Sequence, residues 1–339
     1  MAGGETAVLV VGGGAIGGVI AALLEGTVGR VVVLDPAAEH VARMRDPGLR
    51  VGLDGGERVV RVVRLDARAR AQELDEDFDL ALVTVKAAHL EAALTPLAAA
   101  GVARAYVSLG NGLVHDRIGA LVGEDRLIVG VVEWGATNLG PGRVARTSPG
   151  GFVVGEPDGR VRDRTRLLAG VLAAVGPVKM SENAVGTVWS KLLVNSTMSA
   201  LGAASGLLTG EVLADADGRR AAVGLWREGC AVAAASGVRL EPVWGEDPVA
   251  LVAGDDAGAR LQRTFAPVAG TKASMLQDLE RGARPEVAVI NGAVAARAGE
   301  LGVPAPLNAR VAEIIEAIAR GERAGGRDVF VTIARRRET

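Results

Sequence analysis

A single cysteine, Cys230, stands in 339 residues. No internal disulfide can form, and a reducing compartment, the cytoplasm, is the expected setting. Three histidines (His40, His89, His115) are too few and too scattered for a metal-ligand cluster. Aromatic residues make up 3% of the chain, which leaves a core of alanine, valine and leucine and few rings to stack on a flat ligand. Net charge is −2 and the pI about 6.0, which argues against nucleic acid or an anionic membrane as a partner. The arginine clusters at 160–166 and 335–337 read as solvated surface and tail. No apolar run is long and unbroken enough to span a bilayer. No secretory leader and no internal repeat is expected.

Lysine is the scarcest charged residue. Four of the 38 basic residues are lysines, and one of them, Lys191, lies in Trp189-Ser-Lys-Leu-Leu-Val-Asn195, four positions before an asparagine on the same helical face. A partly buried lysine can release its proton near neutral pH and arginine cannot, so Lys191 is a candidate general acid. Lys179, in a polar turn, reads as a surface residue.

The second signal is glycine. The run from Ala7 to Leu24 is an apolar strand that meets Gly12, Gly14 and Gly17 in GxGxxG spacing and continues as a small-residue helix. Gly12 permits the tight turn, Gly14 lets the backbone approach a pyrophosphate, and Gly17 lets helix pack on sheet. The next β-type run, Arg30 to Leu34, leads into Asp35, an acid 21 residues after Gly14, placed to accept from ribose hydroxyls. Gly12, Gly14, Ala15, Ile16, Gly17 and Asp35 are therefore expected around a dinucleotide.

Up to about residue 180 short β-branched runs alternate with alanine-leucine stretches, the rhythm of a parallel sheet with crossover helices. Strands are expected at 7–11, 30–34, 58–63, 80–85, 105–109 and 127–132, with a turn at Gly140-Pro-Gly142 before 144–147 and an antiparallel edge at 151–154. After Ser181 β-runs give way to helices at about 183–204, 210–235, 247–257, 284–301 and 306–321. The fold class expected is α/β plus all-α: a Rossmann domain over 1–182, a helical substrate domain over 183–325, and a loosely ordered tail over 326–339, with the site in the cleft between the domains.

On this scaffold Gly12-Gly-Gly-Ala-Ile-Gly17, Val85-Lys-Ala87, Asn111-Gly-Leu113, Gly135-Ala-Thr137, Gly140-Pro-Gly142, Trp189-Ser-Lys-Leu-Leu-Val-Asn195, Ser274-Met-Leu-Gln-Asp278 and Glu286 followed by Ile290-Asn-Gly292 fall in order along nearly the whole chain. In these motifs the sequence resembles the ketopantoate reductases, a branch of the 6-phosphogluconate dehydrogenase-like group. The resemblance implies hydride transfer from NAD(P)H to a 2-oxo acid, with Lys191 as general acid and Glu286 contacting nicotinamide ribose and substrate. Asn195 and Ser274 would hold the substrate, Asn111 would lie beside the nicotinamide, Lys86 would sit on the cofactor side, and the Ala136 backbone would meet the carboxamide. On the residues alone, Asn111-Gly112 reads as a plain turn, Ser274 and Gln277 as solvent-facing helix positions, and Glu286 after Pro285 as a first-turn acid. Lys272 is a further candidate for the cleft, and His89 and His115 read as surface residues.

Departures from the family pattern bear on substrate and cofactor. Ser199, Thr209 and Thr271 stand where pantoate-making members place asparagines, and Glu133-Trp134 brings a carboxylate and a large ring to the expected cleft wall. A paralogue acting on another oxo acid, carbonyl or imine is the alternative, and a cofactor-binding regulator without chemistry a second. Asp35 occupies the place of the basic residue that meets a 2′-phosphate, so NAD(H) is expected over NADP(H), with Lys86 able to offset the preference. The partners expected are a small-molecule oxo acid and a second copy in a homodimer, with no nucleic acid and no membrane.

Overall fold

The computed structural model describes residues 6–53 and 60–334. The chain divides into two compact units, one running to Gly110 and from Val114 to Ala184, the other holding Asn111–Leu113 and the residues from Val185 onward.

The first unit runs β1 (Ala7–Val11), α1 (Ala15–Leu24), β2 (Arg30–Leu34), α2 (Ala38–Arg43), β3 (Leu49–Gly52), β4 (Val60–Val63), β5 (Asp66–Arg68), β6 (Phe78–Val83), α3 (Leu90–Ala100), β7 (Ala103–Ser108), α4 (Val114–Val122), β8 (Leu127–Val132), β9 (Ala136–Asn138), β10 (Arg143–Arg146), β11 (Phe152–Gly155), α5 (Asp163–Leu172) and β12 (Val178–Met180). Eight strands form the main sheet in the order β12-β11-β8-β7-β6-β1-β2-β5. The core strands β2, β1, β6, β7 and β8 pair in parallel, and both faces of β1 are covered, as its unbroken Val-Leu-Val-Val run requires. Strand order reverses at β1, whose carboxyl end leads into the glycine-rich loop, the place where doubly wound sheets bind ligands.

Several expectations shift. The strand expected at 58–63 is described as Val60–Val63, residues 58 and 59 lying outside the described residues. It joins a separate four-stranded sheet, β4-β3-β10-β9, rather than the main one. Strand β11 is antiparallel to β8 as expected but is not an edge, because β12 pairs beyond it. β3, β5, β9 and β12 were not anticipated, being three or four residues long with arginine, asparagine or lysine among them, and Lys179, exposed as expected, lies on β12 rather than in a turn.

The second unit is helical: α6 (Ala184–Val194), a π-helical turn (Asn195–Ser199), α7 (Ala200–Ser205), α8 (Thr209–Ala214), α9 (Ala216–Ala235), α10 (Ala257–Thr264), α11 (Ser274–Glu280), a 3-10 turn (Glu286–Val289), α12 (Asn291–Leu301), α13 (Pro306–Ala319) and α14 (Asp328–Ala334). Asp215 caps α9, its carboxylate accepting from the Asp217 and Gly218 N–H groups at 2.9 and 3.0 Å. Gly229 on α9 leaves room for the Leu193 side chain from α6, so the two helices pack closely. The Trp226 indole N–H donates to the Pro248 carbonyl at 2.8 Å, and the segment expected as a helix over 247–257 holds only a 3-10 turn at Ala250–Val252. Here the Asp247 side chain caps Val249 N–H and Gly254 turns the chain left-handed, so helix starts at Ala257. The expected loose tail contains α14, whose Val329, Phe330 and Ile333 are fully buried against the unit's core; 335–339 lie outside the described residues. Among the described residues no helix is long and apolar enough to cross a membrane.

Candidate active site

The glycine-rich loop of the first unit is built by backbone geometry. Gly12 has φ +101°, and a Cβ there would lie 2.9 Å from Val85 Cγ1. At Gly17 a Cβ would overlap the Gly12 carbonyl oxygen, so α1 can sit on this loop only with glycine there. Gly14 is different: nothing lies within 4 Å of where its Cβ would be. Gly14, Ala15 and Ile16 are part-exposed at the start of α1, while Gly12 and Gly17 are buried. The loop thus presents open backbone N–H groups at a helix N-terminus, which fits a pyrophosphate. Asp35 is anchored to it, one carboxylate oxygen accepting from Gly13 N–H at 2.8 Å and the other from Ala37 N–H at 2.9 Å. Each oxygen keeps a lone pair for a ribose hydroxyl. Lys86 is exposed one residue after Val85, and Ala136, half-buried, opens β9 opposite Arg146 of β10.

Two residues that hold this loop escaped sequence reasoning. Thr84 Oγ1 donates to the Gly12 carbonyl at 2.7 Å. His40 is buried, with Gly142 N–H donating to its Nδ1 at 2.8 Å, so Nε2 carries the proton and donates to the Gly13 carbonyl at 2.7 Å. The imidazole ties the glycine-rich loop to the Gly140-Pro-Gly142 turn. Nothing in the local sequence around His40 marks that role.

In the second unit Lys191 and Asn195, four residues apart, are both half-buried on one face. Ser199 would lie about 80° off that face in an unbroken α-helix. The Ala200 N–H, however, reaches back five residues to the Asn195 carbonyl, a π turn that inserts one residue. The insertion turns Ser199 back to within about 20° of the Lys191 face. There Ser199 Oγ lies 3.2 Å from Ser274 Oγ, at the start of α11, and accepts from Met275 N–H at 3.4 Å. Asn111 Nδ2 donates to Glu286 Oε2 at 3.1 Å across 175 positions of sequence, and the next residue, Gly112, sits on the Val289 carbonyl. The plain-turn reading of Asn111-Gly112 therefore gives way to a side-chain pairing with the 3-10 turn that Glu286 begins. Thr209 is buried, its N–H and hydroxyl both directed to the Thr271 carbonyl at 3.2 and 3.3 Å, so its hydroxyl is engaged within the fold.

Other candidates fall elsewhere. Trp134 is buried in the first unit's core, edge-on to Phe152 at 5.8 Å and under the Arg146 guanidinium at 4.7 Å, rather than on a pocket wall. Glu133 beside it is exposed. Lys272 is exposed and pairs with Glu280 at 2.9 Å. His89 is exposed as expected, but His115 is 4% exposed, because α4 turns it inward among Val114, Ile118 and Val122. Among the described residues no cluster of His, Cys, Asp or Glu could hold a metal.

Comparison with known proteins agrees along the chain. A family model described as ketopantoate reductase PanE/ApbA matches residues 8–159, and one for the C-terminal domain of the same family matches residues 183–319. The 2-dehydropantoate 2-reductase of Archaeoglobus fulgidus is 28% identical over 316 residues, covering 93% of this chain and 98% of its own. That of Halobacterium salinarum is also 28% identical, covering 92% and 99%. Among solved structures, a PanE/ApbA family ketopantoate reductase from Ralstonia eutropha JMP134 superposes with TM-score 0.79 at 25% identity, over 94% of this chain and all of that one. D-mandelate dehydrogenase with NADH and anilino(oxo)acetate reaches the same TM-score at 23% identity, over 93% and 99%, a likeness of fold.

Proposed function

The chain belongs to the ketopantoate reductase family, and from that footing we propose how its residues carry out the reduction of a 2-oxo acid to a 2-hydroxy acid. It is an oxidoreductase of the ketopantoate reductase type. Gly12, Gly14, Ala15, Ile16 and Gly17 would hold a reduced nicotinamide dinucleotide, which when bound would supply a hydride to the substrate's carbonyl carbon. Lys191 hydrogen-bonds the carbonyl oxygen, draws charge onto it, and gives the resulting alkoxide its proton; the neutral amine then recovers a proton from water. One hydride and one proton are thus added to the substrate. Asn195 holds the substrate with an amide that both donates and accepts, and Ser274 donates to the carboxylate. Glu286, its orientation set by Asn111, would contact the nicotinamide ribose and the substrate. The observation that carries this reading is the Asn111–Glu286 hydrogen bond of 3.1 Å, which a chance turn and a chance first-turn acid have no reason to share.

NADH is the preferred form in this reading. Asp35 is fixed against the loop by Gly13 N–H, and its charge repels a 2′-phosphate while accepting from a free 2′-hydroxyl. A substrate other than ketopantoate is favoured by one feature: Ser199 and Ser274 bond to one another and Thr209 bonds within the fold, in a region where pantoate-making relatives offer longer amides. Cytoplasmic location and a homodimer belong to the same reading.

Initial rates of NADH and NADPH oxidation, measured in parallel with ketopantoate and a panel of other 2-oxo acids, test it. Turnover with NADH favoured is the expected result. Ketopantoate turnover would make the hydroxyl replacements tolerated changes within one activity. Tight cofactor binding with no oxo acid reduced would overturn the reading.

A further inference from the structure

The π turn between α6 and α7 is what brings Ser199 to the Lys191 face, and such a turn needs something to hold it. Its Ser196 carbonyl accepts a hydrogen bond of 2.7 Å from Asn291 Nδ2, a side chain with no solvent exposure at the first residue of α12. The second N–H of the same amide donates to Asn308 Oδ1 at 3.0 Å. Asn308, also fully buried, donates in turn to Glu228 Oε2 at 2.9 Å and to the Leu225 carbonyl at 3.4 Å. Glu228 closes the chain by accepting from the Leu307 and Asn308 N–H groups at the start of α13.

The bonding fixes which way the Asn291 amide points. Both of its N–H bonds go to oxygens that can only accept, so a flipped amide would face acceptor with acceptor. Its Oδ1 is buried and makes no hydrogen bond, so the side chain is kept for its donors. An aliphatic residue would spare that oxygen but would leave the buried Ser196 carbonyl and Asn308 Oδ1 without this donor, so what the side chain does here is hold those two acceptors in place.

We infer that Asn291 is a positioning residue for the reduction: by holding the Ser196 carbonyl it fixes the π turn, and with it the alignment of Lys191, Asn195 and Ser199. It touches no substrate and acts through the backbone of the turn. This inference rests on the proposed reduction and deepens it, since a misplacement of about 1 Å at a reacting group costs about 100-fold in rate.

The test compares Asn291→Asp, which sets a carboxylate against two acceptors, with Glu228→Ala, which weakens the same buried chain at its far end. In Asn291→Asp, kcat for the oxo acid falls about 100-fold. The dissociation constant for the nicotinamide cofactor stays within about twofold, because the loop that binds it lies in the other unit. Amides of residues 195–201 exchange hydrogen about tenfold faster. Glu228→Ala lowers the melting temperature comparably but leaves kcat and that exchange as in the wild type. If Asn291→Asp does not fold, Asn291→Ser, which avoids the opposed charge, gives the same split between kcat and cofactor affinity. Two results would overturn the inference: kcat falling in both variants in step with melting temperature, or exchange in 195–201 unchanged by loss of Asn291. Wild-type protein that reduces no oxo acid would count against the proposed function instead, and the exchange comparison, which needs no turnover, still reads the turn.

Discussion

Gly17 in the first unit cannot accept a Cβ, because its own loop lies where that atom would go, whereas Ser199 in the second unit is held by the hydroxyl of Ser274, a residue 75 positions away. The difference runs through the two units. Around the glycine-rich loop nearly every constraint is backbone geometry: a positive φ at Gly12, close approach at Gly17, and carbonyls tied down by Thr84 and His40. In the helical unit the constraints are pairs of polar side chains from distant elements, such as Asn111 with Glu286. A backbone site of this kind accepts any ligand with the right phosphate geometry. A side-chain site can be retuned by single substitutions, because each constraint rests on one pair of side chains such as Ser199 with Ser274.

Lys191→Ala separates the two units most strongly. It should lower kcat about 1,000-fold, with cofactor affinity, measured by quenching of tryptophan fluorescence, within about twofold of wild type. Normal turnover would remove Lys191 from the mechanism. Gly17→Ala is the converse: the added methyl meets the Gly12 carbonyl, so the first unit should lose about 3 kcal/mol in urea unfolding and bind cofactor poorly. Unchanged binding there would mean the loop is not the dinucleotide site.

Asp35→Asn sharpens the cofactor side alone. Removing the charge should shift the NADH to NADPH ratio of kcat/KM by about tenfold toward NADPH, and no shift would assign the preference to Lys86 or another group. The smallest effects belong to buried groups that the reaction does not use. Burial pushes the Glu228 carboxyl above its ordinary value despite the backbone N–H bonds it accepts. The folded state therefore holds that proton more tightly than the unfolded chain. The stability it confers is present at pH below about 4.5 and declines as pH rises through the raised value. The stability of wild type relative to Glu228→Ala, from urea titrations at several pH values, should fall over that interval, and a difference that grew with pH would contradict the assignment. Burial, with Asp247 adding to it, also pushes the Cys230 thiol up to about 12. At neutral pH a thiol reagent should modify it only on unfolding.

How much of this was legible in the sequence follows the same division. GxGxxG spacing and Asp35 encode backbone requirements over a short stretch, and β1, β2 and β8 fall at the expected bounds because apolar runs of four to six residues carry enough signal. The π turn left no mark, since Asn195-Ser-Thr-Met-Ser199 reads as continued helix. Asn291 and Asn308 lie in stretches whose composition is ordinary for a helix start, and only the fold shows them buried and bonded together. Trp134 misled because position beside a motif says nothing of side-chain direction; its ring belongs to the sheet's own core. Lys191 was visible for a compositional reason, its rarity in an arginine-rich chain.

The most direct test of the account is transfer of deuterium from the reduced cofactor. Wild-type protein incubated with NADH carrying deuterium at both C4 positions of the nicotinamide and a 2-oxo acid that it turns over should give a 2-hydroxy acid one mass unit heavier, the label at C2, and Lys191→Ala should give almost none. Unlabelled hydroxy acid, or no hydroxy acid from any 2-oxo acid while NADH binds tightly, would contradict the claim that this chain reduces an oxo acid by direct hydride transfer.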